Sequence, residues 1–500
     1  MVNNSLFVIL PGVVVMVAAL VVFVTDLFVA RKGVLAYVAA LGLVAAAGTA
    51  LGQWVTFSGG LHLRARQPEV GFARMVVMDR YALYFTLLFC AVGVLTVMVS
   101  DAYLREHKAP AGEFYGLLLL IIAGMIGMAI STDVIALFIS FELMSLPTYV
   151  MAGFLRGSRT SGEAAIKYFV NGAFSSAILL FGLALLYGLS GGTNYADIAA
   201  GLANAGARNG IAIVALVLVA TGFGFKISAV PFHGWAPDVY EGAPTPVTAF
   251  MAVGVKAGAF AGLVKLFTVA ALPDWSVWSN ILIVLAVLTM VVGNVLALPQ
   301  RNLKRMLAYS SIAHAGYLLL GVIAVGHAQG DPHGSSAVLF YLAAYAVMNL
   351  GAFGLLVFVR NRQPGFRYTL DEMAGTWRQM PWAAIALTLF MLSLAGIPPT
   401  IGFWGKFYIF TAVIDAGLTW LAIIAVVMAA VSAFYYLRVV WYVFFREQEE
   451  GAQPAPALLS PTPGISTAMG LTAVGVLALG VYPSGLLSAA QGALRLLIGG

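Results

Sequence analysis

The chain has 500 residues, 61% of them hydrophobic and only 9% charged. Soluble domains carry about 25% charged residues, so the composition excludes an ordinary soluble protein and points to a chain built for lipid. The net charge of +6 does not mark a nucleic-acid binder, because Lys and Arg are scattered among short loops without forming a basic stripe.

Crossing about 30 Å of hydrocarbon takes roughly 20 apolar residues. Fourteen such helices are predicted, over residues 5–29, 34–57, 76–100, 113–131, 133–155, 163–189, 209–233, 244–270, 276–298, 303–326, 336–360, 381–413, 418–445 and 465–488. The first run is too long for a signal-peptide core and precedes Arg31-Lys32, so it is expected to be retained as a helix. The lone cysteine, Cys90, falls in the third segment and reads as a small buried residue, since one cysteine can form neither an internal disulfide nor an iron–sulfur site. Asp133 separates the nearly continuous fourth and fifth segments. Residues 369–379 suggest a short helix on the membrane interface, anchored by Trp377 and Trp382. Residues 446–463, with Glu447, Glu449, Glu450 and several prolines, read as an extended linker to the last helix.

Loop charges orient the stack. Loops after odd-numbered helices carry Arg31, Lys32, Arg105, Lys108, Arg156, Arg159, Arg301, Lys304, Arg305, Arg360, Arg362, Arg367, Arg378 and Arg446; those after even-numbered helices carry only Arg64, Arg66, Arg74, Arg80 and Arg208. Positive charge collects on the cytoplasmic side, so both termini are expected on the opposite side.

Several titratable residues interrupt the apolar segments. Glu142 lies in the fifth, Lys167 in the sixth, Lys226 in the seventh, Lys256 and Lys265 in the eighth, Lys406 in the twelfth and Arg438 in the thirteenth. A charge near the bilayer centre costs about 2.5–3.5 kcal/mol on insertion scales, so a set of them implies ion or proton movement. The seventh and twelfth segments also contain Pro231 and Pro398-Pro399. Proline removes a backbone donor and clashes with the preceding turn, so both helices should break there. Paired breaks five segments apart fit two inverted five-helix repeats, helices 4–8 and 9–13, and point to an ion pathway. Two ordinary proline kinks are the plainer alternative.

Glu142 and Lys226 are expected to pair, giving a proton affinity that changes when they separate; a static salt bridge is the alternative. Lys256 sits among small residues that leave room for water. His233, after the first break, and His314, in the tenth helix, are relay candidates, with packed hydrogen-bonded histidines as the alternative. Lys265 is expected to snorkel to the interface, Lys167 to pair with Glu163 along one helix face, and Arg438 to snorkel or bind carbonyls. The remaining histidines, His62, His107, His327 and His333, lack metal-ligand spacing, and no metal, nucleotide, nucleophile or haem motif is evident.

Three stretches carry a resemblance: Pro231-Phe-His-Gly-Trp-Ala-Pro-Asp-Val-Tyr-Glu-Gly-Ala-Pro-Thr-Pro-Val, Leu303-Lys-Arg-Met-Leu-Ala-Tyr-Ser-Ser-Ile-Ala-His-Ala-Gly-Tyr, and Leu394-Ala-Gly-Ile-Pro-Pro followed by Gly402-Phe-Trp-Gly-Lys-Phe. They resemble the subunit N family of the bacterial proton-pumping NADH:quinone oxidoreductase, respiratory complex I. The resemblance runs from about the fourth to the thirteenth helix. It implies an all-α polytopic protein of fourteen helices with broken helices 7 and 12, and matches the family's charged positions to Glu142, Lys226, Lys256 and Lys406. Lys406, where one sister subunit typically has glutamate, and the stretch from Asp238 favour subunit N over its antiporter-like sisters.

The implied organisation is an N-terminal three-helix segment (1–112), two antiporter-like repeats (113–270 and 276–445), and a linker with the C-terminal helix (446–500). The family binds no cofactor in this subunit; NADH, FMN, iron–sulfur clusters and quinone belong to other subunits. Its partners are neighbouring antiporter-like and small membrane subunits, in the bacterial inner membrane. The expected mechanism opens the Glu142–Lys226 pair, drives a proton from Lys226 to Lys256, and passes it through His314 to Lys406. A multi-subunit Mrp-type cation/proton antiporter uses similar charged helices and is the alternative, and a scaffold anchoring redox subunits is a third reading.

Overall fold

The computed structural model describes residues 2–57, 69–328, 332–363, 365–447 and 463–494. Arg64, Arg66, His62, Glu449 and Glu450, the C-terminal tail and most of the expected 446–463 linker lie outside the described residues. The chain is a helical bundle that runs α1 (Val2–Phe28), α2 (Val34–Phe57), α3 (Arg80–Glu106), α4 (Ala111–Ile130), α5 (Val134–Ala152) and α6 (Arg159–Ser190). It continues through α7 (Tyr195–Ala205), α8 (Gly210–Lys226), α9 (Trp235–Gly242), α10 (Thr245–Phe250), α11 (Lys256–Lys265), α12 (Trp275–Ala297), α13 (Leu303–His327) and α14 (Pro332–Arg362). The last elements are α15 (Thr376–Gln379), α16 (Pro381–Ala395), α17 (Ile401–Asp415), α18 (Thr419–Phe445), α19 (Pro463–Val481) and α20 (Ser484–Leu494).

Among the described residues, 12 spans are long and apolar enough to cross a membrane, and Gly210–Lys226 and Pro381–Ala395 add shorter apolar helices. These shorter helices belong to the two predicted segments that contain the proline breaks. An unbroken helix over 209–233 does not form: α8 stops at Lys226, seven residues short of the predicted end. The twelfth segment divides into α16 and α17, with Gly396 in the left-handed region (φ 88°) ending the first half.

Side-chain caps set several boundaries. Asp79 accepts from the Ala82 amide at the start of α3, Asp133 from Ile135 and Ala136 at the start of α5, and Asn302 from Arg305 at the start of α13. Each satisfies backbone donors that a helix start leaves unpaired. The predicted cut at Asp133 is present, and the structure shows that the residue makes it by capping α5. The third helix begins at Arg80 and not at 76, because Val76–Met78 pairs antiparallel with Glu69–Gly71 in a hairpin that the sequence reading missed. A short apolar run does not distinguish strand from buried helix by periodicity.

Three further expectations change. The interfacial helix over 369–379 is a 3₁₀ turn, Asp371–Met373, followed by the single-turn α15. Trp377 on α15 and Trp382 at the start of α16 are both exposed. The last predicted helix ends at Val481, and α20 follows Pro483, whose ring cannot continue the hydrogen-bond ladder. An extra helix, α7, lies between the sixth and seventh predicted segments.

Burial separates the bundle into layers. The span Thr245–Ala270 and α13 are buried along their whole apolar windows, whereas those of α1, α2, α18 and α19 are one-third buried. The two central spans carry Lys256 and His314. The expected burial of Cys90 holds.

Candidate functional site

The first break positions Lys226. α8 runs out at this residue; Ile227 is still helical, and Ser228 takes a positive φ of 62°. Neutral side chains satisfy backbone groups released here: the Trp235 indole donates to the Phe225 carbonyl at 3.1 Å, and the Val230 amide donates to the Thr289 hydroxyl at 2.9 Å. Lys226 is thereby left out of the backbone repair. It is 2% exposed, and its ammonium donates to the Tyr168 hydroxyl at 3.3 Å. The rings of Tyr149, Tyr168 and Phe141 stand 5.1, 5.3 and 5.4 Å away, so the cation is held by aromatic faces.

Glu142 on α5 is close enough for its charge to act on Lys226. The two form no direct ion pair within 4 Å among the described residues, and Glu142 Oε1 is buried without a hydrogen-bond partner. The expected pair therefore acts through space, not as a direct ion pair. His233 is half-buried with Nδ1 unpartnered, and no hydrogen bond joins it to Lys226 or Lys256 among the described residues.

Lys256 opens α11 immediately after a π-helical turn, Met251–Val255. Such wide turns within helices recur at functional sites. The 1%-exposed ammonium donates to the Ser311 carbonyl at 2.6 Å and hydroxyl at 2.5 Å on α13. One residue earlier, the Ser310 hydroxyl is bonded to the Tyr436 hydroxyl at 2.5 Å, which lies 3.1 Å from His314 Nε2. His314 Nδ1 in turn meets the Tyr341 hydroxyl at 2.5 Å. Both Lys256 and Lys406 lie within electrostatic reach of His314. Groups that can each donate or accept thus line the interval between the two lysines.

The second break holds Lys406 differently. Its ammonium donates to the Leu394 and Ala395 carbonyls at 3.0 and 2.8 Å, the groups freed where α16 ends, and lies 5.5 Å from the Tyr317 ring. Gly402 is required at the crossing of α16 and α17, since a Cβ there would collide with the Ser393 carbonyl.

Residues outside the predicted row complete the picture. Lys167 pairs with Glu163 at 2.7 Å as expected, and also with Asp238 at 2.7 Å. Arg305 bridges Asp238 and Glu241 at 2.7 and 3.1 Å, and the 3%-exposed Lys304 donates to the Glu241 and Ala243 carbonyls. Burial pushes the Asp238 carboxyl up, but hydrogen bonds from Lys167 and Arg305 more than reverse this and hold it below its usual range. Glu163, Lys167, Asp238, Glu241, Lys304 and Arg360 rim an open cavity of about 720 Å³. Sequence reasoning missed Asp238, Glu241, Lys304 and Arg360 as a cluster, because they come from three separate stretches. Arg438 binds the Leu298 and Gln300 carbonyls at 2.6 and 2.7 Å, the second of its two expected fates. Lys265 does not snorkel: it is 1% exposed and 3.5 Å from Asp79 Oδ2.

Comparison with known proteins places this geometry. The family described as NADH:quinone oxidoreductase/Mrp antiporter, TM, matches residues 131–432. NADH-quinone oxidoreductase subunit N of Trichlorobacter lovleyi is 43% identical over 99% of this chain and 98% of its own length, and that of Myxococcus xanthus 42% over 95% and 94%. A chain of respiratory complex I from Thermus thermophilus superposes with a TM-score of 0.78 at 33% identity, covering 96% of this chain and 98% of that one. A Mrp complex chain from Dietzia shares the fold, with a TM-score of 0.83 at 23% identity and coverage of 100% and 98%. The chain belongs to the NADH:quinone oxidoreductase/Mrp antiporter family of membrane proteins, among the relatives named NADH-quinone oxidoreductase subunit N.

Proposed function

We propose that this chain is a proton-translocating membrane subunit of a NADH:quinone oxidoreductase, moving protons while electrons pass from NADH to quinone in other subunits. The observation that carries the reading is the row of buried lysines, Lys226, Lys256 and Lys406, with His314 and its tyrosine hydroxyls inside an apolar bundle. Charges so placed are costly, and their retention suits a proton relay better than a scaffold. FMN, iron–sulfur clusters and quinone are assigned to partner subunits. Near-full-length identity to relatives named NADH-quinone oxidoreductase subunit N favours this reading over a Mrp-type antiporter.

The cavity rimmed by Glu163, Lys167 and Glu241 takes up protons from the cytoplasm, since its end of the bundle carries most loop cations. Both termini then face away from the cytoplasm, across the bacterial inner membrane. Separation of Glu142 from Lys226 lowers the proton affinity of Lys226 and sends its proton to Lys256; His314 hands it on to Lys406, which releases it. His233 serves the first handover as a side relay through water. One pKa unit corresponds to about 1.4 kcal/mol, so a modest charge displacement drives each step. The chain divides accordingly into an N-terminal segment (1–112), repeats over 113–270 and 276–445 in inverted relation, and a C-terminal part (446–500).

The test is Lys256→Ala in the assembled complex, reconstituted into vesicles. Electron transfer should persist with the proton-to-electron ratio reduced; an unchanged ratio sinks the reading.

A further inference from the structure

A second buried acid–base pair lies off the row of lysines. Lys256 opens α11 and Lys265 closes it, which sets the two about 13 Å apart along the axis at 1.5 Å per residue. Lys265 donates to the Ala129 carbonyl at 2.9 Å and stands 3.5 Å from Asp79 Oδ2 and 5.6 Å from the Tyr81 ring. Asp79 Oδ1 is occupied by the Ala82 amide at 2.7 Å, so Oδ2 is the oxygen nearest the lysine. Capping α3 does not require this charge, because asparagine caps as well as aspartate. A buried ion pair is also weak evidence for stability, since desolvation offsets its attraction.

The surroundings point to water. Tyr195 is 2% exposed, and among the described residues its hydroxyl has no hydrogen-bond partner; nor do Asp274 Oδ2 and Ser279 Oγ, both also buried. Tyr195 lies within electrostatic reach of Tyr81, itself in reach of Asp79, and of Asp133. The helix it opens, α7, packs against the π-helical turn Leu266–Ala270 that follows Lys265 and against the 272–274 turn that ends in Asp274. Buried polar groups that the protein leaves unpaired mark sites for ordered water. All of them lie where α3, α5 and α12 begin and α4, α6 and α11 end, at the end of the bundle opposite the large cavity.

We infer that Lys265 and Asp79 form a proton-release station, reached from Lys256 and opening toward water beside Tyr195. This rests on the proton-translocating function proposed above. The pair rests as ammonium and carboxylate. Transfer of one proton from Lys265 Nζ to Asp79 Oδ2 breaks an N–H bond and forms an O–H bond, leaving a neutral amine and a neutral acid with the pair's total charge unchanged. The acid gives its proton to water beside Tyr195, and the amine accepts the next proton from Lys256 through water. Each cycle passes one proton and restores both groups.

The test is Lys265→Arg in the whole complex, reconstituted into vesicles, with proton-to-electron ratio and electron transfer measured together. Arginine keeps the charge and the pairing but does not give up its proton. Proton release through this branch should slow by about tenfold or more, the effect of a mismatch of one pKa unit. A wild-type ratio in this variant overturns the inference, because a merely structural pair predicts that result. Should Lys265→Arg fail to assemble, Tyr195→Phe decides: deleting an unpartnered hydroxyl costs the fold little, so a reduced ratio supports the station and an unchanged one removes it. Lys256→Ala in the same preparation separates the two readings. If that variant also pumps fully, the translocation pathway itself has failed; if it does not, a normal ratio in Lys265→Arg counts against the release station alone.

Discussion

The two broken helices solve one problem in opposite ways. At the first, Trp235 and Thr289 satisfy freed backbone groups, and Lys226 is left to aromatic faces, one hydroxyl and the field of Glu142. At the second, the lysine is itself the repair: Lys406 holds the Leu394 and Ala395 carbonyls, with no carboxylate acting on it among the described residues. A cation free of backbone duty can change its protonation without disturbing the helix around it. One that ties two carbonyls couples its protonation to the shape of the break. The first site therefore suits a switch set by a neighbouring charge, and the second suits a step in which proton release and backbone movement go together.

The largest expected effects test that contrast directly. Lys226→Ala and Lys406→Ala should each reduce coupled proton movement, read as the proton-to-electron ratio in vesicles. Only Lys406→Ala should also destabilise the fold, by about 1–3 kcal/mol for each carbonyl left buried and unpaired. A thermal unfolding midpoint that falls equally in both variants would erase the distinction. Next in size is Glu142→Gln, which removes the charge acting on Lys226 and should slow proton loading of that lysine about tenfold if the charge is worth one pKa unit. Rapid-mixing measurements of proton uptake would reveal it, and unchanged kinetics would mean that Glu142 does not set the switch.

A smaller effect sharpens the second break alone. Gly396 has φ 88°, and a Cβ there would stand 3.0 Å from the Lys406 side chain. Gly396→Ala should cost about 1–2 kcal/mol from the left-handed backbone, read as a lower unfolding midpoint, and should lower the proton-to-electron ratio by shifting Lys406; the matching Gly224→Ala near the first break should not carry the backbone term.

The smallest effect lies at the cavity rim. The folded-state pKa of Asp238 is depressed, so its contribution to stability is present above the ordinary carboxylate value and is lost as pH falls through the lower one. Asp238→Asn should therefore lower stability near neutral pH by no more than about 1 kcal/mol, as befits a partly solvated ion pair. It should also flatten the loss on acidification. A pH series of unfolding midpoints that is identical in both proteins would remove Asp238 from the network.

Much of this molecule was legible in order of residues. Apolar runs of sufficient length marked the spans, Asp133 marked the cut between two of them, and the prolines marked both breaks. Lys167 with Glu163 followed from helix spacing, whereas for Arg438 the needs of a cation near lipid allowed snorkelling or carbonyl pairing, and the structure has the latter. The hairpin at 69–78 was hidden because three apolar residues fit a strand or a buried helix equally well. The cluster of Asp238, Glu241, Lys304 and Arg360 was hidden because its members come from α9, α13 and α14.

By itself the sequence determined that the chain crosses a membrane many times and that a few ionisable residues must lie within it, because hydrocarbon makes apolar length and isolated charge readable one residue at a time. Only the tertiary structure decided which neighbours those charges have. It set Glu142 apart from Lys226, drew Lys265 inward to Asp79, and gave Lys406 the carbonyls of its own broken helix. Those outcomes depend on distances between helices remote in the chain, where a shift of a few ångströms changes electrostatic and hydrogen-bond energies more than any local preference does.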